Sequence, residues 1–390
     1  MSETETIQLA KDAYIYGYPM VDGYNVLHRQ ALDKESPEFK ARLNSIGHAR
    51  TTARPEDKSV IAPNVDTPYS YAWLDLRAEP VVVTIPPFET NRYVSLQLID
   101  LYTYIVGYVS PRTFGNSGGQ FFIAGPAWNG NAPAGIKHVF RSPTSLLLAF
   151  YRTQLFDERD LKKVHALQDR FKITPLSKFL KAASPAPQVL PTLVQPINLR
   201  TQPTALEFFT VLNWMLQFMP VLPEETALRA RFERIGIRPG EAFQPDEKTA
   251  AAVVKGMQQG LAEMGQKARQ VRSSAEIFGS REFLKDNYMA RALGAMLGIY
   301  GNAAEEYLGV GYQADAEGKP FNGEEDYRIK FAADGLPPVG AFWSITVYNS
   351  ARLLEANPRK RYVINSPMLP QLQKDADGGF TLYLQQRFLE

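Results

Sequence analysis

The sequence predicts an α+β protein: antiparallel β-sandwich or jelly-roll units with a helical block inserted between them. Three observations carry this. Short β-branched and aromatic runs bounded by Pro, Gly or Asn cluster towards the two ends of the chain. Between them, from about 144 to 310, apolar residues recur at helical period over long segments. The two β blocks also resemble each other, since "YVSLQLID" (93–100) aligns without gaps to "FWSITVYN" (342–349). Downstream, "GGQFFIAGP" (118–126) and "GGFTLYLQQ" (378–386) occupy similar places, as expected of a duplicated unit.

The elements follow in order. Residues 4 to about 32 show apolar positions at three- and four-residue steps, with Pro19 and Gly23 expected to kink or interrupt the helix. After a polar, Pro-punctuated stretch comes "APNVDTPYSYAWLDLR" (62–77), a turn feeding a strand. The strands "PVVVTIP" (80–86), "RYVSLQLID" (92–100), "YTYIVGYVS" (102–110), "GQFFIAGP" (119–126) and "KHVFRSP" (137–143) complete the first β unit. Helices are expected over 206–218, 224–237, 247–264 and 281–309, with "AASPAPQVLPTLVQP" (182–196) a Pro-rich connector. Strands return in "EDYRIKFAA", "AFWSITVYN", "RYVINSP" and "GGFTLYLQQ". At 390 residues the chain exceeds the usual limit of one core, so the division expected is 1–143, 144–280 and 281–390.

Composition removes several function classes. Forty-three basic against 41 acidic side chains leave a net charge of +2, which offers nucleic acid or an anionic membrane no electrostatic handle. With no Cys, a disulfide framework, a thiolate nucleophile and Cys-ligated zinc or iron–sulfur centres are all excluded. The four histidines (28, 48, 138, 165) show no metal-ligand spacing, so no metal residues are assigned and the cofactor is unknown. A hard divalent cation held by carboxylates from distant segments stays open. No apolar run approaches the ~20 residues of a membrane span. The acidic start lacks the features of a signal peptide, so the chain as written reads as cytoplasmic, or as periplasmic or secreted if a leader has been removed.

Candidate site residues come from motif density and strand alternation. Asn64, Asp66, Thr67 and Tyr69 crowd six positions between and beside Pro63 and Pro68. An Asx-type turn explains that pattern, as does a rim presenting a carboxylate, an amide, a hydroxyl and a phenol to a polar ligand. Asp100 ends an otherwise apolar strand face, and Tyr102 and Tyr104 follow it. Arg291 lies on a helix with an apolar stripe and needs an anionic partner if it faces the sheet, for which Asp66 and Asp100 are the candidates. His48, Asp66 or Asp100, and Ser117 follow the chain order of a serine-protease triad, but "GNSGG" between strands reads better as a hairpin turn. "GVGYQA" (309–314) follows a helix rather than a strand and so fails the context of a dinucleotide loop.

Several long motifs resemble a known bacterial pair. "DAYIYGYPMV", "PNVDTPYSYAWLDL" and "RYVSLQLIDLYT" are similar to domain of unknown function 1254. "DNYMARALGAMLGIYGNAAEEY", "LPPVGAFWSITVYN", "NPRKRYVINS" and "DGGFTLYLQ" are similar to its usual partner, domain of unknown function 1214. The resemblance implies β-sandwich or jelly-roll units with helical additions in a homo-oligomer, and no established reaction. It carries over Asn64, Asp66, Thr67, Tyr69, Trp343 and Tyr348 as recurring motif positions without fixing their roles. Many relatives begin with a secretion signal and continue into a closing strand beyond "TLYLQ". Ending at "QQRFLE", this chain is expected to leave a sheet edge for another subunit to pair.

Two function classes follow, both with a small-molecule ligand as partner. The first is a hydrolase or lyase acting on a small polar or aromatic compound. In it Asp66 is the base or cation ligand, Asn64 and Thr67 orient the substrate, and Tyr69 or Tyr102 is the acid or clamp; Asp100 is a further catalytic candidate and Arg291 a substrate-binding one. The second is a carbohydrate-like ligand-binding or oligomeric structural protein, in which Trp343, Tyr102 and Tyr348 stack on a ring.

Overall fold

The computed structural model describes residues 1–58 and 61–385. Its centre is a five-stranded sheet in the order β1-β2-β8-β4-β5. These are β1 (Gly47–His48), β2 (Tyr69–Asp75), β4 (Val94–Asp100), β5 (Ile105–Val109) and β8 (Leu146–Thr153), and all neighbours run antiparallel. A second sheet has the order β7-β6-β3-β9, from β3 (Val81–Ile85), β6 (Gly119–Ala124), β7 (His138–Arg141) and β9 (Lys172–Pro175). It is mixed rather than purely antiparallel, because β6 and β7 pair in parallel.

Strand alternation divides the apolar residues between two cores. Ala72, Leu74, Val94, Leu96, Leu98, Leu147 and Ala149 of the first sheet join Val81, Val83, Phe121 and Ile123 of the second in one cluster. Trp73, Ile99, Leu146, Leu148 and Phe150 belong to a larger cluster with the helices. Those helices are α1 (Glu3–Leu27), α2 (Glu207–Leu216), α3 (Thr226–Glu233), α4 (Glu247–Ala268) and α5 (Tyr288–Gly298). Among the described residues no helix is long and apolar enough to cross a membrane.

The structure departs from the sequence-based expectations at four places. The first β unit does not stop at residue 143: β8 is a central strand, buried at every position. A strand covered on both faces reads as a continuous apolar run, without the alternation that marks a half-buried one. Helix α1 runs straight through Pro19 and Gly23 and ends in a π-helical turn, His28–Leu32. Burial of seventeen of its 25 residues outweighs the local helix-breaking tendency. The helix expected over 281–309 is broken: Lys285 takes a left-handed φ of 49°, Asn287 caps α5 through Ala290 N–H, and Tyr300 has φ 67°. Finally, the second β block consists, among the described residues, of two two-stranded antiparallel pairs. These are β10 (Tyr327–Phe331) with β13 (Phe380–Leu384), and β11 (Ser344–Thr346) with β12 (Val363–Asn365). The stretch proposed as a duplicate of β4 is thus a short strand there. The closing strand expected to be missing turns on 386–390, which lie outside the described residues.

The close approach of α1 and α4 is tightest at Gly256. A Cβ on Gly256 would lie 2.4 Å from the Ile7 carbonyl oxygen, whereas one on Gly265, further along the same helix, meets nothing within 4 Å. Gly256→Ala should therefore lower stability by about 2 kcal/mol, through overpacking against backbone, despite its better helix propensity. Gly265→Ala should raise it by about 0.5–1 kcal/mol. Urea unfolding of both variants checks the pair; equal effects would contradict this packing.

Candidate functional site

Two constellations collect the candidate residues, and they differ in kind. The first is built on the turn at 64–67. Asn64 Oδ1 accepts from the Asp66 N–H and the Thr67 N–H, each at 2.9 Å, and from the Thr67 hydroxyl at 3.1 Å. Its acceptor capacity is spent on closing the Asx turn. The Asp66 carboxylate reaches the C-terminal region: Oδ2 accepts from Ser344 Oγ at 2.6 Å and Oδ1 from Asn365 Nδ2 at 2.9 Å. Ser344 and Asn365 stand directly opposite each other in the β11–β12 pair, so one carboxylate clasps both strands. The Tyr348 hydroxyl donates to the Pro63 carbonyl at 2.9 Å, and Ala62 N–H to the Arg352 carbonyl at 2.7 Å. Burial raises the proton affinity of Asp66, and the Ser344 and Asn365 hydrogen bonds work against that rise.

Tyr69 opens β2 opposite Arg152 of β8, whose guanidinium lies 5.6 Å from the Tyr69 ring. Burial pushes the Tyr69 phenol up, against the pull of Arg152. Arg152 itself donates to Gln97 Oε1 at 2.6 Å and to the Tyr300 carbonyl at 3.0 Å. Trp343, next to Ser344, is buried and stacks on Phe331 at 5.5 Å. It is not grouped with Tyr102, which lies in the other constellation.

Asp66→Ala should cost about 1–3 kcal/mol, because it leaves the buried Asn365 amide without its acceptor, while the exposed Ser344 hydroxyl can turn to water. Ser344→Ala should cost about 1 kcal/mol, and the two changes together less than their sum. A double-mutant cycle in urea reads this directly; additive effects would remove the clasp.

The second constellation sits where β4 turns into β5. Asp100 is buried; its Oδ1 accepts from Tyr104 N–H at 2.9 Å, and Thr103 between them takes φ 72°. Oδ2 lies 4.0 Å from Arg281 Nη2, in the short helix Arg281–Leu284. Burial pushes the Asp100 carboxyl up to about 7, opposed chiefly by the charge of Arg281. Arg281 also donates to Glu225 Oε1 at 3.0 Å and lies over the rings of Tyr102 and Tyr104, at 4.5 and 4.2 Å. Glu225 is completely buried and accepts from the Tyr16 hydroxyl at 2.7 Å.

Arg291 faces this group, but no carboxylate holds it directly. It donates to the Tyr102 carbonyl at 2.6 Å and lies within 6.0 Å of four tyrosine rings, those of Tyr16, Tyr102, Tyr104 and Tyr288. Of its two expected partners, Asp100 acts on it through charge alone. The Tyr102 hydroxyl donates to the Pro220 carbonyl at 3.3 Å.

The structure thus brings Asn64, Asp66, Thr67, Tyr69 and Tyr348 together, and separately Asp100, Tyr102 and Arg291. It does not assemble the protease-like triad: His48 pairs with Ser70 at 2.8 Å, and Ser117 with Lys137 at 3.1 Å. Sequence reasoning missed Glu225, Arg229 and Arg281. A Glu and an Arg four residues apart on a short helix look like a solvated ion pair, so periodicity carried no signal of their burial. A cavity of about 270 Å³ has Ile105 and Ser280, the chain neighbours of Tyr104 and Arg281, in its wall. Among the described residues no group of three or more His, Asp or Glu side chains is placed to share a metal ion.

Because the folded protein keeps a proton on Asp100 up to about 7, while the unfolded chain loses it near 3.8, stability falls as pH rises between those values. The contribution is on the order of 4 kcal/mol. Asp100→Asn keeps the acceptor for Tyr104 N–H and should flatten that part of the profile. Denaturation midpoints of both proteins from pH 4 to 8 check this; parallel profiles would contradict it.

The fold and its polar clusters define an α+β protein whose central sheet is covered by helices on one side and joined by a carboxylate clasp to a β-paired C-terminal region. Residues 43–175 match the Protein of unknown function (DUF1254) family, and residues 306–388 the Protein of unknown function (DUF1214) family, so the chain carries the two in tandem. The crystal structure of the VPA0106 protein from Vibrio parahaemolyticus is similar at 26% identity and a TM-score of 0.77, covering 97% of this chain and 88% of that one. An uncharacterised protein from Burkholderia cenocepacia aligns over 98% of this chain and 84% of its own, at 13% identity and a TM-score of 0.39. Comparison with curated proteins returns no match.

Proposed function

We propose that the chain is an enzyme of the hydrolase or lyase type, acting on a small polar or aromatic compound at the Asp100 cluster, with the Asp66 motif as the clasp that holds the C-terminal region in place. The observation that carries the reading is Asp100 itself: a buried carboxyl with a guanidinium 4.0 Å away, whose burial pushes it up to about 7. A carboxyl titrating near neutrality is suited to general base work, because it accepts a proton readily and still gives it up. Ionised Asp100 takes a proton from the substrate or from an attacking water, while Arg281 stabilises the negative charge that develops. Tyr102 and Tyr104 supply aromatic walls. Asn64 and Asp66 are less suited to chemistry, because their side-chain oxygens already accept from neutral donors.

A panel of p-nitrophenyl esters and small β-hydroxy acids should reveal turnover that rises with pH through about 7. Asp100→Asn should reduce it by about 10²–10⁴. Turnover within threefold of wild type in that variant, or none with any member of the panel, overturns the reading.

A further inference from the structure

The cluster around Asp100 holds more guanidinium donors than the protein satisfies. Five of the eleven buried side-chain polar atoms without a hydrogen-bond partner among the described residues belong to three arginines there: Nη1 and Nη2 of Arg229, Nε and Nη2 of Arg281, and Nε of Arg291. Arg229 and Arg291 are 4% and 1% exposed. Unpaired guanidinium groups at that depth are costly, and native proteins rarely leave them so without a ligand or a functional use.

Arg229 is the most telling of the three. It lies on α3 one turn after Glu225, yet Glu225 spends its oxygens on Tyr16 and Arg281. Its charge acts on the phenols of Tyr16 and Tyr102, two of the four rings that lie within 6.0 Å of the Arg291 guanidinium. Both terminal nitrogens of its fork are uncommitted, the arrangement that matches a carboxylate in a bidentate pair. Charge balance points the same way. Three guanidinium groups face two carboxyl groups, so with Asp100 ionised one positive charge is unmatched, and a monoanion matches it better than a dianion. Glu224, 4.0 Å from Arg281, is on the surface and does not fill this role. Arg281, with a side chain 23% exposed, is the arginine of the cluster that reaches solvent.

We infer that the cluster binds a small organic acid, with the Arg229 fork anchoring its carboxylate between the tyrosine walls while Asp100 and Arg281 face the rest of the molecule. This deepens the proposed function and rests on it for the identification of that acid as substrate.

The test is calorimetric titration of the full chain with benzoate, and with benzamide as the neutral isostere. Benzoate should bind saturably and benzamide at least tenfold more weakly. Arg229→Gln should weaken benzoate at least tenfold and, without ligand, melt at a higher temperature than wild type, because an unpaired buried charge has gone. Arg229→Lys, which keeps the charge and lacks the fork, should also bind benzoate less tightly, and covers the case in which the glutamine variant fails to fold. Asp100→Asn should bind benzoate as well as wild type or better. Equal binding of benzoate and benzamide, or unchanged benzoate affinity in both Arg229 variants, overturns the inference even where turnover still depends on Asp100. Arg229-dependent benzoate binding with Asp100-independent turnover supports the anchor and overturns the catalytic reading instead.

Discussion

The two middle strands of the five-stranded sheet, β4 and β8, are buried at every position, and much else in the molecule answers to that constraint. A polar side chain on such a sheet must find its partners inside the protein. Gln97 and Arg152, facing the helical side, do so as a unit: Arg152 donates to Gln97 Oε1, Gln97 Nε2 donates to the Gly301 carbonyl at 2.7 Å, and Arg152 donates to the Tyr300 carbonyl. The loop after α5 is thereby tied to the sheet, and Tyr300 is held in the left-handed region that non-glycine residues usually avoid. The chain leaves this anchor towards Glu306, which accepts from the Tyr93 hydroxyl at 2.8 Å and from Ser110 Oγ at 3.1 Å. The entry to the C-terminal region is set by these bonds, and the clasp at Asp66 completes the attachment.

The two buried aspartates show how neighbours divide one chemistry into two roles. Burial raises the proton affinity of both. Asp66 is met by a hydroxyl and an amide, neutral donors in good geometry, and its oxygens are engaged in joining two parts of the chain. Asp100 is met by the backbone N–H groups of Tyr104 and Tyr102 and by a guanidinium at ion-pair distance, in a setting where further guanidinium donors go unused. A satisfied carboxylate is a structural fixture. The proposed base is the one whose burial is only partly offset by the positive charge beside it.

Much of this was legible in the chain. The α+β class, most strand and helix positions and the tandem family pair follow from period, turn residues and motif order, because those signals are local. So was the membership of the Asp66 cluster, since Asn64, Asp66, Thr67 and Tyr69 are close in sequence and their turn chemistry is local too. Strand alternation even placed Asp100 at the end of a buried row.

Tertiary structure decided the rest. The identity of β8 as a central strand could not be read, because a strand covered on both faces loses its alternation. The clasp needed Ser344 and Asn365, separated from Asp66 by 278 and 299 positions, to stand opposite each other on a pair of short strands. The arginine cluster depended on a helix-borne Glu225 and Arg229, with Arg281 beyond them, turning inward under the sheet's end, although the spacing of the first two suggests a wet surface. Charge in a helix looks the same in a sequence whether it meets water or is buried. Only the packing of α1, α3 and α5 against Tyr102 and Tyr104 determines which, because burial is a property of all the elements together and of none alone.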